Sequence, residues 1–347
     1  MKRNWLSYMC MAALLSGALT SCNESSFLNL SDPNHFTESN FWKDKADAES
    51  ALAAAYSPIK GAMYGYFSAF DGWLNLNGRG DDIFTIKGEE VPMWNIANFL
   101  NSPSTGNDPY GALYSGIQRA NIVLRYIDQI PASGITEEDR SMIKGEALFL
   151  RGYQYFLLVN NYKEVPLRLI PSNEDETNKG PASEAALWTQ VEEDLGNAIK
   201  CNLPVERTTA KERVTKGAAI AMLGKVYATQ HKYPEAKQLL VSLLSAPYSY
   251  ELVDDFAKNF TNEEEFNKES VYEIAYSPDG EYSWSNESGI CLGCYIPQFI
   301  GPVKSGGWAK LMPNSFIVGE FTKETRPNGA DTNFDKRIYA SLVVDPA

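Results

Sequence analysis

Two stretches of the chain combine aromatic rings with polar side chains in a way that suits the binding of sugars. An aromatic face can stack on a pyranose ring, while Asp, Asn and Arg side chains can hydrogen-bond its hydroxyls. In residues 61–107, which show little helical period, the candidates are Asp71, Trp73, Asn75, Asn77, Arg79, Asp81, Trp94, Asn95 and Asn98. In residues 276–308 they are Tyr282, Trp284, Tyr295 and Trp308. Each Trp could instead anchor its loop on neighbouring helices, and this alternative stays open for any single ring.

Such loops must be positioned by regular elements, and the sequence predicts several helices. A 3.6-residue apolar period predicts helices over 44–59, 108–127, 136–159, 183–199, 215–230 and 234–244. Thr136 and Ser183 are expected to cap two of these helices. Asp108 is expected to cap another, with Pro109 at its first helical position.

The last two predicted helices have the residue spacing of a tetratricopeptide repeat. Leu223, Gly224 and Tyr227 fall on the first helix, and Ala236 falls on the second. The small residues Gly224 and Ala236 would let the two helices approach closely. A generic helical hairpin is the alternative.

After about Tyr248 the pattern changes. Residues 271–276 alternate and are typical of a strand, whereas 277–314 are mostly loop. A short helix is expected over 311–321, capped by Asn314. The predicted fold is therefore mostly α, with tetratricopeptide-repeat-like helical hairpins and an irregular, loop-rich ligand-side subdomain containing a few short strands.

The first residues predict an exported and lipidated protein. Lys2 and Arg3 precede an uncharged apolar run from Trp5 to Leu19, which is shorter than the ~20 residues of a transmembrane helix. Small residues then lead directly into Cys22, as in a bacterial lipobox. We expect a signal peptide over 1–21 and a lipid anchor on Cys22.

The charge balance excludes several classes of partner. The chain has 31 basic and 44 acidic residues. Loss of the signal peptide with Lys2 and Arg3 would leave 29 basic residues and a net charge of −15. Binding to nucleic acid or to anionic lipid needs clustered Lys and Arg. We therefore expect no nucleic-acid partner.

Enzymatic motifs are missing from the sequence. It has no Gly-x-Ser-x-Gly, no His-Glu-x-x-His and no phosphate loop, and its two histidines leave little scope for acid–base catalysis. A glycosidase needs only two carboxylates, so sequence alone leaves that alternative open. Asp81 and Asp82 could contribute oxygens to a calcium site, but they lack the spacing of a calcium loop. We predict no catalytic residues, metal ligands or cofactor.

Several motifs follow one another along nearly the whole chain. They are Phe27-Leu28 after the cysteine, Phe41-Trp42 with 47–56, the 145–156 segment, 165–167, 191–204, 213–219, and the set Pro313, Phe321, Asp335 and Arg337. In this order, behind a lipobox, they resemble the SusD/RagB family of outer-membrane nutrient-binding lipoproteins.

The resemblance implies particular site residues. In the family, an Asp and an Arg eight residues apart, followed by an aromatic residue and an Asn, contribute to glycan binding. The matching residues here are Asp71, Arg79, Trp94 and Asn98. Trp284 and Trp308 would form a second aromatic wall, and Trp73 lies within the first loop.

The resemblance also implies a location, a partner and a domain organisation. We expect a lipid-anchored protein on the outer face of the outer membrane that binds a glycan and passes it to a SusC-like TonB-dependent transporter. The alternatives are a peptide-binding member of the family and a tetratricopeptide-type protein-assembly scaffold. The expected parts are a tether over 22–43, a helical scaffold over 44–247 with the 61–107 loop inserted, and a ligand-side subdomain over 248–347. This last part is expected to be incomplete because family members are usually longer.

Overall fold

The chain divides into two compact units, residues 1–43 and residues 44–347. The computed structural model describes residues 41–60, 66–67, 72, 77–85, 91–100, 109–277, 293–323 and 335–342. In the first unit, the ring of Trp42 packs edge-on against Phe41. The predicted signal peptide and Cys22 lie outside the described residues.

The second unit is mostly helical, as predicted. Its helices are α1 (Lys45–Lys60), α2 (Val91–Ala97), α3 (Tyr110–Tyr126), α4 (Glu137–Tyr162), α5 (Glu174–Thr177), α6 (Glu184–Lys200), α7 (Lys216–Thr229), α8 (Tyr233–Ser242), α9 (Ile296–Ile300), α10 (Ser315–Phe321) and α11 (Ile338–Ser341). Its strands are β1 (Ile83–Phe84) and β2 (Met312–Pro313). Across the described ranges, no helix combines the length and apolarity needed to cross a bilayer.

Helix α4 is the centre of the scaffold. It packs against α1, α3 and α6. Its apolar face recurs at the helical period, and Ile143, Ala147 and Leu150 are fully buried. Because α4 packs against these three helices, it positions most of the helices that form the core.

The predicted N-caps of three helices have clear outcomes. The side chain of Thr136 accepts a hydrogen bond from the Asp139 N–H at the start of α4, and Ser183 caps α6 in the same way. Both predictions are confirmed. The prediction for α3 was wrong by one position: the helix begins at Tyr110, so Pro109 is the N-cap and makes no side-chain cap bond. Asp108 lies outside the described residues.

The α7–α8 hairpin has the close packing expected of a tetratricopeptide-like unit. A Cβ atom at Gly224 would lie 2.7 Å from Cδ2 of Leu240, so the absence of a side chain there allows Leu240 to pack against α7. Ala236 on α8 is 4% exposed. The structure shows that Gly224 accommodates a leucine of the opposite helix.

The strand predicted over 271–276 is wrong. These residues have no regular secondary structure, and within the described ranges no segment pairs with them. They are also uniformly half-buried, without the alternation of a sheet with one buried face. Aromatic packing takes the place of a strand ladder: Tyr272 meets Phe149 edge-on at 5.3 Å.

Two other predictions missed short elements. The helix predicted from Leu311 begins at Ser315, because Met312 and Pro313 belong to β2. Asn314 caps it as expected, accepting a hydrogen bond from the Ile317 N–H. The 61–107 stretch contains β1 and α2, which are too short to produce a detectable apolar period.

An ion pair between α1 and α4 predicts a small pH effect. Lys45 Nζ lies 2.8 Å from Asp139 Oδ1, and this hydrogen bond lowers the pKa of Asp139. A lowered carboxyl pKa stabilises the fold above the unfolded pKa of Asp, and that stability is lost as the pH falls through the folded value. Lys45→Met should therefore lower stability at neutral pH by about 0.5 kcal/mol, since both ends are partly exposed. The difference from the parent in thermal melts should vanish in acid, whereas an equal difference at every pH would contradict this.

Candidate functional site

The first predicted loop and the C-terminal part of the chain meet in a two-stranded sheet. Strands β1 and β2 pair antiparallel, with Ile83 opposite Pro313 and Phe84 opposite Met312. The Asn314 N–H donates to the Asp82 carbonyl at 2.9 Å and extends this junction. The described parts of 77–98 and 295–314 therefore form one unit, which we call the loop module.

A small apolar cluster lies inside the loop module. Met93, Phe299 and Leu311 are almost fully buried, and Trp308 packs against them. The rings of Phe299 and Trp308 meet edge-on with centroids 6.1 Å apart. The backbone N–H of Trp308 donates to the Gln298 carbonyl. Trp308 is half-buried. One side of its ring anchors the module, so only the remaining surface is available to a ligand.

Trp94 lies on α2, and Asn98 follows directly after the helix. Trp94 follows the buried Met93 on α2 and is itself half-buried. Asn98 is exposed, and its Nδ2 donates to the Trp94 carbonyl at 2.8 Å, satisfying an acceptor at the helix end. The side-chain nitrogen of Asn98 therefore has a structural role, and its oxygen is the atom it could offer to a ligand.

Arg79 occupies a separate position in the first loop. It is half-buried, and among the described residues its buried Nε has no hydrogen-bond partner. Burial raises the pKa of Tyr66, and the nearby positive charge of Arg79 opposes part of that rise. Nδ2 of Asn161, near the end of α4, lies 3.5 Å from the Tyr66 hydroxyl. Arg79 thus lies close to a tyrosine held by the scaffold, with an unused donor.

Of the other predicted site residues, Asp71, Trp73 and Trp284 lie outside the described residues. Within the described ranges, no group of three or more His, Cys, Asp or Glu side chains is positioned to hold a metal ion.

A column of aromatic rings connects the scaffold to its loops and was not found from the sequence. Tyr153 of α4 stacks on Phe149 and on Phe67, and its ring meets Tyr272 edge-on. The Tyr276 hydroxyl donates to the carbonyl oxygens of Lys60 and Phe67. Burial raises the pKa of the Tyr153 and Tyr276 hydroxyls, so both remain neutral. The sequence did contain one indication of this column: Phe149 and Tyr153 are four residues apart, which places both rings on the same face of a helix.

Comparison with known proteins gives two family matches. A family described as starch-binding and associating with the outer membrane, SusD-like, matches residues 80–228. The SusD family matches residues 268–346.

Individual relatives agree with these matches. A SusD-like protein of Formosa agariphila is 26% identical over 234 residues, which cover 66% of this chain and 43% of the relative. The crystal structure of a SusD superfamily protein from Bacteroides vulgatus is 31% identical, with a TM-score of 0.73 over 86% of this chain and 61% of that one. A laminarin-binding SusD-like protein is 29% identical, with a TM-score of 0.65 over 71% of this chain and 54% of that one. The chain thus spans less than two thirds of the length of each of these relatives.

Proposed function

Because this chain belongs to the SusD/RagB family, we propose that it binds a glycan at the cell surface and delivers it to a SusC-like TonB-dependent transporter. The observation that carries the binding proposal is the loop module, in which β1 and β2 join the two aromatic stretches singled out as sugar-binding candidates. Within it, Trp308 packs against the apolar cluster, and Trp94 follows the buried Met93 on α2; both Trp residues are half-buried.

The chemistry of the loop module favours a glycan over other ligands. Partly exposed indole rings offer apolar faces for sugar rings, and the exposed Asn98 offers an acceptor for a hydroxyl. The 29% identity to a laminarin-binding relative makes laminarin the first probe.

We further propose that binding occurs without cleavage. Stacking and hydrogen bonding to hydroxyls need no acid–base pair, whereas glycoside hydrolysis needs two carboxylates about 5–10 Å apart on either side of the bond. Asp81 and Asp82 are adjacent in sequence and exposed, and their backbone carbonyls bond Asn314. These two residues therefore position Asn314, which follows β2 and caps α10.

Anchoring and domain organisation complete the proposal. A signal peptide over 1–21 and lipidation of Cys22 would tether the protein to the outer membrane through the 22–43 arm. The scaffold would span 44–247, which contains α1 to α8. The ligand-side subdomain would span 248–347, whose described residues include the short elements α9, α10, α11 and β2.

Retention on laminarin tests the binding proposal. Trp94→Ala and Trp308→Ala should each weaken retention in laminarin affinity electrophoresis by about tenfold, since each removes an aromatic face worth roughly 1 kcal/mol plus buried area. Trp188→Ala is the matched control. Trp188 is also half-buried, but it belongs to α6, where it packs on Phe156 and bonds Glu184.

Three results would count against the proposal. Equal retention in the parent and both module variants would contradict the assigned surface. Shorter glycans released from laminarin by purified protein would contradict binding without cleavage. If the parent retains peptides but neither laminarin nor any other polysaccharide tested, the ligand is a peptide rather than a glycan. Melting curves of each variant separate loss of binding from loss of fold.

A further inference from the structure

A second cleft lies outside the loop module. It has a volume of about 300 Å³ and lies where the loop before α7 meets the segments 247–250 and 266–273. None of its lining residues belongs to the loop module. Pockets that bind small molecules have volumes of roughly 300–1,000 Å³, so this cleft has room for a small ligand.

Two tyrosines form an aromatic wall of the cleft. The rings of Tyr248 and Tyr250 are nearly parallel, with an interplanar angle of 12° and centroids 6.1 Å apart. Both side chains are half-buried. A Cβ atom at Gly217 would lie 2.2 Å from the Tyr250 hydroxyl, so the glycine in the first turn of α7 makes room for this ring. The wall is therefore held by the helix and keeps part of its surface open.

Hydrogen-bonding groups lie beside the aromatic wall. Arg207 is held rigidly, because its Nε donates to the Val214 carbonyl and its Nη2 donates to the buried Glu146. Among the described residues, its Nη1 has no hydrogen-bond partner, nor does the hydroxyl of Tyr272, which also lines the cleft. The cleft thus offers two donors that the fold does not use.

Charged residues of both signs line the cleft. Lys211 and Glu206 are exposed, and within the described part of the chain neither forms an ion pair. Lys268, another lining residue, is paired with Glu251. Glu273 also lines the cleft, where it accepts the Phe266 N–H and forms no ion pair within the described residues. Charged groups of both signs therefore line the cleft and supply both donors and acceptors.

We propose that this cleft binds one or two neutral sugar units, as a second saccharide site separate from the loop module. Parallel aromatic faces with unused donors and an acceptor suit a pyranose ring and its hydroxyls. The volume excludes a long chain, so the ligand is a short saccharide or the end of a glycan. This inference rests on the proposed function for the class of ligand, but not on the residues of the loop module.

Saturation-transfer difference NMR on the full chain tests the proposal. The probes are glucose, galactose, mannose, xylose and their disaccharides at millimolar concentration. Tyr248→Ala removes one ring of the wall, and Tyr272→Phe removes only a hydroxyl while leaving the ring packed on Phe149. Each should weaken binding of the responding sugar about three- to tenfold, as expected for the loss of one aromatic or hydrogen-bonding contact. Tyr233→Ala, an exposed tyrosine outside the cleft, is the matched control and should leave binding unchanged.

The outcomes distinguish this proposal from the proposed function. Weaker short-sugar binding in both cleft variants, with normal binding in Trp308→Ala, supports a separate site. Short-sugar binding that is unchanged in the cleft variants, or absent for every probe, overturns the cleft proposal, while retention of laminarin through Trp94 and Trp308 would leave the proposed function standing. If laminarin is not retained but short sugars bind the cleft, the cleft proposal stands and the assignment of glycan binding to the loop module fails.

Discussion

Replacing Glu146 with alanine should lower the free energy of unfolding by about 3–5 kcal/mol, the range expected when a buried charge cluster loses one partner. Glu146 lies in the middle of α4 with none of its side chain exposed. Arg207 Nη2 donates to its carboxylate at 2.7 Å, and Arg213 donates through Nη2 at 2.8 Å and Nε at 3.0 Å. The Tyr56 hydroxyl of α1 donates at 2.6 Å. One carboxylate therefore connects two helices and the loop before α7.

The size of the effect follows from what the substitution leaves behind. Without the carboxylate, two guanidinium groups would face each other in a site that excludes most water. Burial opposes the charge on Arg213, but Glu146 outweighs it and raises the Arg213 pKa. Burial also raises the pKa of Tyr56, so its hydroxyl stays neutral and would lose its acceptor. The loss of stability therefore has two parts: the ion pair is removed, and buried hydrogen-bond donors are left without an acceptor.

Chemical denaturation of three variants measures this effect. Glu146→Gln should also be destabilising, because it keeps the shape and some acceptor capacity but removes the charge. Glu138→Ala, an exposed acid in the first turn of the same helix, should change stability by no more than about 0.5 kcal/mol. An unchanged denaturation midpoint for Glu146→Ala would show that the cluster does not stabilise the fold.

Most long helices could be predicted from the sequence because their stability depends on local patterns. Helix α4 has both a capping residue at Thr136 and an apolar face that repeats through Ile143, Ala147 and Leu150. Helices α2 and α9 span only seven and five residues and depend on packing around Met93 and Phe299. Their stability comes from tertiary contacts, which a sequence window does not reveal.

The candidate site was harder to predict for the same reason. Its residue types were recognisable, and Trp94 and Trp308 do belong to one module. The β1–β2 pair that joins their loops has two residues in each strand and connects Ile83 with Pro313, across more than 200 positions. The cleft beside α7 combines three separate segments, and no single motif spans them. Contacts at such separation leave no local periodicity to detect.

A second buried ion pair gives a sharper test of how this scaffold uses charge. Arg151 of α4 donates to Asp194 of α6 through Nε at 2.8 Å and through Nη2 at 2.6 Å. Asp194 is 1% exposed and also accepts from Gln190. Arg151 Nη1 donates to Asn121 of α3 at 2.9 Å. The pair thus links three helices, with its hydrogen-bonding capacity largely satisfied.

Asp194→Leu alone should cost about 3–5 kcal/mol, because it leaves the Arg151 guanidinium buried and unpaired. The double variant Arg151→Met with Asp194→Leu should recover most of this loss, because apolar side chains of similar size remove both desolvation penalties. Asn121 would still be left without one donor, so full recovery is not expected. A double-mutant cycle by chemical denaturation gives the coupling between the two sites. Losses in the double variant that equal the sum of the single losses would mean that the pair acts through packing rather than charge.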